Sequence, residues 1–126
     1  MTPVTPTPLV SIVDDDESVR ESLRGLIRSI GLGVQTFASA EDFARSEQVD
    51  KTDCLILDVR MPGMTGLDLQ RQLVAGQRDI PIIFITAHGS DEGTRARALR
   101  DGAVAYLIKP FSEGALLEAV DAALKS

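Results

Sequence analysis

The sequence of 126 residues contains one cysteine, no tryptophan and few aromatic residues, and its apolar runs are short. One cysteine, Cys54, excludes an intramolecular disulfide and a zinc site made of clustered thiolates, which agrees with a reducing compartment such as the cytoplasm. Short apolar runs exclude a membrane-spanning segment. Positive charge is also scarce, because 13 basic residues face 19 acidic ones. The formal charge of −6 argues against direct binding to nucleic acid or to an acidic membrane, since both would repel the chain.

Residues 1–8 differ in composition from the rest of the chain. They contain three prolines and no charged side chain, and they lack the apolar segment that a signal peptide needs. We therefore predict a flexible leader over residues 1–8 and a single folded domain over residues 9–126. A chain of this length can bury about two thirds of the surface that it exposes when unfolded, so it needs no metal or disulfide to hold a core.

Beyond the leader, two apolar patterns alternate. Short runs rich in β-branched residues predict five strands, over residues 9–13, 34–37, 54–57, 81–85 and 104–108. The segments that follow each strand carry apolar residues at helical spacing and predict five helices; Ser39 followed by Asp42, for example, is typical of a helix N-cap. The strands are apolar on both faces, which indicates a parallel sheet covered by helices on each side. The predicted fold is an α/β three-layer sandwich with the flavodoxin-like strand order 2-1-3-4-5.

Polar and charged residues follow four of the five predicted strands. Asp14 and Asp15 come after the first strand, Asp58 after the third, Thr86 after the fourth and Lys109 after the fifth. The second strand ends without an ionisable residue, as expected for an edge strand. Ligands of an open parallel sheet bind beyond the carboxyl ends of its strands. We therefore expect these five side chains, distant along the chain, to meet at one rim of the sheet.

The residue types at this rim suit phosphoryl transfer. Three carboxylates within a few ångströms repel by about 4 kcal/mol per pair at an effective dielectric constant of about 20, which Lys109 alone does not offset. A divalent cation resolves the repulsion, and oxygen-only ligands on a shallow, hydrated rim suit Mg2+, for which Mn2+ can substitute. Beside such a cation Asp58 becomes a carboxylate nucleophile, while Thr86 and Lys109 can bind phosphoryl oxygens. The pattern predicts a site that makes an aspartyl phosphate.

At these residues the sequence resembles the receiver domains of two-component response regulators, over nearly all of residues 9–124. Four segments carry the resemblance: IVDDD at 12–16, LDVRMPGMTG at 57–66, ITAHG at 85–89 and IKPF at 108–111. Within the family, RMP after Asp58 and AHG after Thr86 are most similar to the FixJ-type branch. The resemblance implies that a sensor histidine kinase donates a phosphoryl group from a phosphohistidine. It also implies that the domain is not an enzyme beyond accepting and hydrolysing that group.

The resemblance implies roles for the acidic residues. Asp58 corresponds to the phosphoacceptor and is also part of the metal-binding set. Asp15 corresponds to the residue that ligates Mg2+ directly, Asp14 to one that acts mainly through water, and the backbone carbonyl of Arg60 to a further ligand. The side chain of Arg60 either shields the site and tunes it, or plays no part beyond that carbonyl.

The resemblance also implies a phosphoryl-binding pair and a switch. Thr86 and Lys109 correspond to the residues that bind the phosphoryl oxygens, and the Lys109–Pro110 peptide bond is expected to be cis. Phosphorylation adds about 1.5 to 2 negative charges, which can draw the Thr86 hydroxyl inward and let Tyr106, at the aromatic switch position, turn in from solvent. A simpler interpretation of Tyr106 is packing with its hydroxyl at the surface. His88 either tunes access of water to the phosphoryl group or is an exposed loop residue.

The implied output surface consists of the fourth helix, the fifth strand and the fifth helix. Both helices carry charged residues there, namely Arg95, Arg97, Arg100, Glu118, Asp121 and Lys125. Such a face suits symmetric pairing, so we expect a homodimer that forms on phosphorylation. Receivers of the FixJ type are commonly followed by a helix-turn-helix domain, and the sequence stops at Ser126 without one. We expect either a fragment of a transcriptional regulator or a stand-alone receiver.

Other functions stay open from the sequence alone. A flavin-binding module has this topology, but the acidic residues of the first loop would repel the cofactor. A haloacid-dehalogenase-type phosphatase would use Asp14 and Asp16 in its opening motif, which leaves Asp58 without a role. A pseudo-receiver would bind proteins without being phosphorylated, and it would be expected to lack a member of the acceptor set. Asp16 is also typical of a helix N-terminus, where acids interact favourably with the helix dipole.

Overall fold

Strands and helices alternate along the chain in the computed structural model, which describes residues 7–87 and 92–125. The strands are β1 (Leu9–Val13), β2 (Gly33–Phe37), β3 (Cys54–Asp58), β4 (Ile82–Thr86) and β5 (Ala105–Ile108). The helices are α1 (Glu17–Ser29), α2 (Ala40–Ala44), α3 (Gly66–Ala75), α4 (Glu92–Arg100) and α5 (Glu113–Lys125), with a short 3-10 helix at Glu47–Lys51. Residues 1–6 of the predicted leader lie outside the described residues. His88 also lies outside them. Within the described ranges, no helix has both the length and the apolar character that crossing a bilayer requires.

The five strands form one parallel sheet in the order β2-β1-β3-β4-β5. This confirms the predicted fold class and strand order. From β1 the chain moves outward to the edge strand β2 and then returns to the other side of β1 as β3. Such a reversal of direction opens a crevice between the carboxyl ends of β1 and β3. The topology therefore directs the residues that follow β1 and those that end β3 into the same crevice.

Each face of the sheet is covered by helices. One face packs against α2, α3 and α4 through a cluster that includes Leu57, Phe84 and Phe43. The opposite face packs against α1 and α5 through a second cluster, which includes Ile56 and Leu116. Because successive strand residues point to opposite faces, a central strand between two helical layers is buried at every position. β3 accordingly is buried along its whole length.

Two strands extend one residue beyond their predicted ends. We predicted that the third and fourth strands end at residues 57 and 85, whereas Asp58 and Thr86 are the last residues of β3 and β4. Both residues are still paired in the sheet, Asp58 with Ile85 and Thr86 with Ile108. A polar side chain at the end of a strand does not interrupt main-chain pairing, so the ladder continues through both. Their side chains are therefore carried by rigid backbone.

Side chains near the rim cap the helices that begin there. Asp16 is the N-cap of α1 and accepts a backbone N–H from the first turn, as expected for an acid at this position. Ser39 caps α2 by accepting the N–H of Asp42, which confirms the predicted cap. Thr65 and Asp68 form a reciprocal capping box at the start of α3. These caps fix the points at which the rim loops end.

Candidate functional site

Three carboxylates lie together at the carboxyl ends of β1 and β3. Asp14 and Asp15 directly follow β1, and Asp58 is the last residue of β3. The two strands are adjacent and Val13 pairs with Leu57, so the next residue along each strand, Asp14 or Asp58, ends beside the other. One carboxylate oxygen from each of the three aspartates lies within 4.8 Å of the others. The structure thus brings together the acidic cluster that the sequence predicted.

Asp14 is held on both of its carboxylate oxygens. Its side chain has 0% exposure. Oδ1 accepts the backbone N–H of Asp16 at 2.9 Å, and Oδ2 accepts a hydrogen bond from the ammonium of Lys109 at 3.0 Å. The backbone carbonyl of Asp14 accepts a further bond from Nη1 of Arg20 at 2.8 Å. A buried charge requires such partners, because an unpaired one is strongly unfavourable.

Asp58 is ionised at an energetic cost. The residue is 5% exposed. Burial first, and then the negative charge of Asp14, raise its pKa from the ordinary value of 3.8 to about 6, although Lys109 and the backbone N–H of Arg60 act in the opposite direction. That N–H donates to Oδ1 of Asp58 at 3.3 Å. Asp58 is still largely ionised at neutral pH, but its charge is disfavoured. A cation placed among the three carboxylates would offset the penalty.

This penalty predicts that Asp58→Asn stabilises the metal-free protein. A raised pKa in the folded state means that ionised Asp58 destabilises that state; the cost is absent below the ordinary value of 3.8 and complete above about 6. We expect the substitution to increase the free energy of unfolding by about 1 to 2 kcal/mol at neutral pH and to change it little in acid. Urea unfolding at the two pH values measures this difference. Equal destabilisation at both values would contradict the electrostatic explanation.

A hydroxyl and an ammonium group flank Asp58 on the side of β4 and β5. Thr86 ends β4 with 1% exposure, and Asp58 pairs with Ile85, the residue before it. Lys109 follows β5, and its backbone N–H donates to the Thr86 carbonyl at 2.7 Å. The peptide bond from Lys109 to Pro110 is cis. The long side chain of Lys109, 23% exposed, reaches the carboxylate of Asp14, which follows β1.

The two residues of the predicted switch share one face of the sheet. Tyr106 pairs with Phe84 in the ladder, and their rings lie 6.3 Å apart at an interplanar angle of 46°. Thr86 is two residues beyond Phe84, so its side chain points to the same face. The Tyr106 side chain is partly buried against the cluster that α2, α3 and α4 cover. Thr86 and Tyr106 therefore lie on the face of the sheet that α4 helps to cover.

The loop between β3 and α3 begins and ends beside Asp58. The Val59 carbonyl accepts the N–H of Gly66 at 3.0 Å, which closes the base of the loop. A Cβ atom at Gly66 would collide with the carbonyl of Asp58, so this close approach requires glycine. Arg60, the predicted carbonyl ligand, lies two residues after Asp58 and has an exposed side chain. The loop thus keeps the main chain around Arg60 next to the acidic cluster.

Sequence reasoning missed two residues at this rim. Arg20 of α1 binds the carbonyl of Asp14, and Glu41 of α2 accepts the backbone N–H of Met64 at 3.3 Å. Arg20 lies four residues after the N-cap Asp16, a spacing that places it one helical turn on, above the loop after β1. That spacing could have suggested its role. Glu41 offers no such signal, because 23 positions separate it from Met64.

The donor atoms of the acidic cluster suit a hard divalent cation. Asp14, Asp15 and Asp58 offer oxygen ligands alone, and Asp15 is exposed whereas the other two are buried. The cluster is therefore open to solvent on one side. Mg2+ typically binds a few carboxylates while it keeps several waters, which this arrangement allows. Over residues 7–87 and 92–125, no other group of three or more potential metal ligands comes together in this way.

Comparisons with known proteins agree with this site. The sequence model of the response regulator receiver domain matches residues 10–121. Nodulation protein W of Bradyrhizobium diazoefficiens is 50% identical over 115 residues, which are 91% of this chain and 50% of the relative. The chain spans about half the length of the curated relatives it matches.

Two solved structures have the same fold. The response regulator StyR matches with a TM-score of 0.88 at 50% identity, over 95% of this chain and 60% of the StyR chain. FixJ-N matches with a TM-score of 0.84 at 38% identity, over 96% of both chains, which agrees with the predicted likeness to the FixJ-type branch. With this fold, this acidic cluster and this match over most of its length, the chain belongs to the receiver domains of two-component response regulators.

Proposed function

We propose that this receiver domain accepts a phosphoryl group on Asp58 from the phosphohistidine of a sensor histidine kinase, in a reaction that depends on Mg2+. The observation that carries this proposal is the meeting of three carboxylates within 4.8 Å, with the Lys109 ammonium 3.0 Å from Asp14. Mn2+ is expected to substitute for Mg2+, because the ligands are all oxygen atoms.

The proposed metal-binding groups are Asp14, Asp15, Asp58 and the backbone carbonyl of Arg60. Asp15 is exposed and belongs to the acidic cluster, which supports direct ligation. Asp14 already accepts a hydrogen bond on each carboxylate oxygen, which supports a contribution mainly through water. When bound, Mg2+ would supply positive charge to the phosphoryl oxygens and relieve the repulsion among the carboxylates.

Asp58 is the nucleophile in this proposal. One of its oxygens attacks phosphorus, the P–N bond to the donor imidazole breaks, and the imidazole keeps the electron pair and takes up a proton. The Thr86 hydroxyl and the Lys109 ammonium donate hydrogen bonds to the phosphoryl oxygens. Water later attacks the acyl phosphate, which releases inorganic phosphate and restores Asp58. We propose that His88 and the side chain of Arg60 tune access of that water.

Thr86 and Tyr106 form the proposed switch. The phosphoryl group draws the Thr86 hydroxyl toward Asp58, and Tyr106 moves into the space released on their shared face of the sheet. The output surface is α4, β5 and α5, where α4 has Arg97 and Arg100 in its last turn. Because this surface combines basic and acidic side chains, it suits a homodimer that forms on phosphorylation.

The phosphatase alternative would need Asp14 as its nucleophile. That carboxylate is 0% exposed and both of its oxygens accept hydrogen bonds, so it is poorly placed to attack a substrate. A flavin phosphate would meet the exposed carboxylate of Asp15 and the buried one of Asp14 in the first loop. The pseudo-receiver alternative shares the fold and differs in chemistry alone.

The likeness to longer relatives supports a role in gene control. FixJ of Azorhizobium caulinodans, 40% identical over 115 residues, is named a transcriptional regulatory protein. We propose that phosphorylation of this domain controls transcription through an effector domain, and that the protein acts in the cytoplasm, where sensor kinases present their phosphohistidine. The domain itself is proposed to make no direct contact with nucleic acid, since its formal charge is −6.

Acetyl phosphate and Mg2+ test this function without the kinase. We expect intact-protein mass spectrometry to find one added phosphoryl group per chain, and none when a chelator removes the metal. A phosphatase would instead release many equivalents of inorganic phosphate, and a pseudo-receiver would neither gain nor release one. Light scattering of the same phosphorylated sample reports the homodimer. A chain that stays unmodified in the presence of Mg2+ would refute the proposal.

A further inference from the structure

The loop that joins β3 to α3, residues 59–65, is held near its end at α3 by a side chain from α2. Glu41, in the first turn of α2, accepts the backbone N–H of Met64 on Oε2 at 3.3 Å. We infer that Glu41 is a positioning residue for the metal site, because by fixing this loop it sets where the Arg60 carbonyl stands. The inference rests on the proposed function, since that carbonyl matters only if the site binds a divalent cation.

The second carboxylate oxygen of Glu41 shows that the contact with Met64 has an energetic cost. Oε1 is buried, and it has no hydrogen-bond partner within the part of the chain that the structure describes. Buried polar atoms are nearly always paired, because losing water without gaining a partner is unfavourable. A glutamate that served only the first turn of α2 would direct its carboxylate to solvent. The N–H of Met64 explains why it turns toward the loop instead.

Gly63 makes room for the Glu41 carboxylate. Its φ angle is 76°, in the left-handed region that favours glycine. A Cβ atom at this position would also collide with Oε2 of Glu41. Any other residue would therefore strain the backbone and push the carboxylate away from Met64. Glycine at position 63 thus leaves the space that the Glu41 carboxylate occupies when it binds Met64.

Both sides of the contact are anchored. On the helix side, Ser39 caps α2 and Phe43 is completely buried in the core, so the backbone of Glu41 has little freedom. On the loop side, the Val59 carbonyl accepts the N–H of Gly66 at 3.0 Å. The loop is thus fixed at its base by main chain and at Met64 by the Glu41 side chain. The proposed carbonyl ligand lies between these two points.

Calorimetric titration of Mg2+ into the folded chain tests this role. We expect Glu41→Ala to raise the dissociation constant for Mg2+ about tenfold, as the loss of a contact that supports metal ligands commonly does. Glu41→Gln keeps an oxygen that can accept the Met64 N–H, so it should restore nearly the original affinity. Asp42→Ala removes the same charge from the same turn, and it should leave the affinity unchanged, because Asp42 is exposed and pairs with Arg45.

Amide hydrogen exchange separates positioning from a general loss of structure. Exchange at Met64 should be faster in Glu41→Ala and unchanged in Asp42→Ala, while the two variants have similar thermal unfolding midpoints. Gly63→Ala should reproduce the weaker Mg2+ binding of Glu41→Ala. Combining these two substitutions should be less than additive, because each breaks the same contact.

Several results would overturn the inference. One is unchanged Mg2+ affinity together with unchanged Met64 exchange in Glu41→Ala. Another is a Glu41→Gln variant that binds Mg2+ as weakly as Glu41→Ala does, because the charge of Glu41 would then matter and its hydrogen bond would not. Failure of the unsubstituted chain to bind Mg2+ would refute the proposed function and, with it, the effect on the metal. Met64 exchange would still decide whether Glu41 holds the loop.

Discussion

Asp58→Asn is expected to reduce phosphorylation by acetyl phosphate and Mg2+ to an undetectable level. The amide of asparagine has nearly the shape of the carboxylate, but it carries no charge and is not a nucleophile, so no acyl phosphate can form. The substitution leaves the neighbours Asp14 and Lys109 in place, 3.0 Å apart. Intact-protein mass spectrometry after incubation with both reagents measures the result.

A matched control makes the same chemical change elsewhere. Asp121→Asn on α5 removes a carboxylate that is exposed and pairs with Lys125 at 2.9 Å. It should leave the extent of phosphorylation as it is in the unsubstituted chain. Phosphorylation of Asp58→Asn to the same extent as the control would place the acceptor at another residue and would contradict the assigned role.

Lys109→Ala has the second largest expected effect, because it acts on both stability and phosphoryl transfer. It leaves Asp14, which is 0% exposed, without the cation 3.0 Å away. Breaking a buried pair from one side is costly, and since the Lys109 side chain is 23% exposed we expect a loss of about 2 kcal/mol in the free energy of unfolding. Loss of the proposed donor to the phosphoryl oxygens should slow phosphorylation about 100-fold. Urea unfolding and the time course of phosphorylation measure the two effects.

Lys125→Ala provides the comparison for this experiment. Its ammonium lies 2.9 Å from Asp121, nearly the same distance as in the Lys109 pair, but both side chains are exposed. Solvent screens such a pair, so its removal should change neither the stability nor the rate of phosphorylation. If the two lysine variants behaved alike, burial would not be what gives Lys109 its importance.

The fold was predictable because two of its strands, β3 and β4, are apolar up to their last residue. A strand such as β3, buried along its whole length, lacks the alternation of an exposed sheet, and this is itself a sign of a parallel sheet between two layers of helices. Once the strands are placed in order, the meeting of Asp14 with Asp58 follows from the adjacency of β1 and β3. The acidic cluster is thus a consequence of the sheet topology. The sequence reveals it because the aspartates stand where the predicted strands end.

Contacts between side chains and distant backbone were not predictable. Glu41 binds the loop after β3, and Gln70 of α3, 1% exposed, donates from Nε2 to the carbonyl of Ala98 in α4 at 3.1 Å. Neither contact leaves a periodic pattern, because the partner is a backbone group that any residue carries. The sequence alone would assign both side chains to helix surfaces. Their partners become visible only in the folded structure, where α2 lies beside the loop after β3 and α3 lies beside α4.

The location of the phosphoryl group tests the central claim most directly. Borohydride reduction converts an aspartyl phosphate to homoserine, and tandem mass spectrometry of the digested protein then identifies the position. After incubation with acetyl phosphate, we predict homoserine at position 58 when Mg2+ is present and none when it is chelated. Homoserine at Asp14 or Asp15, or modification that does not require a divalent cation, would contradict the proposal that this cluster directs phosphoryl transfer to Asp58.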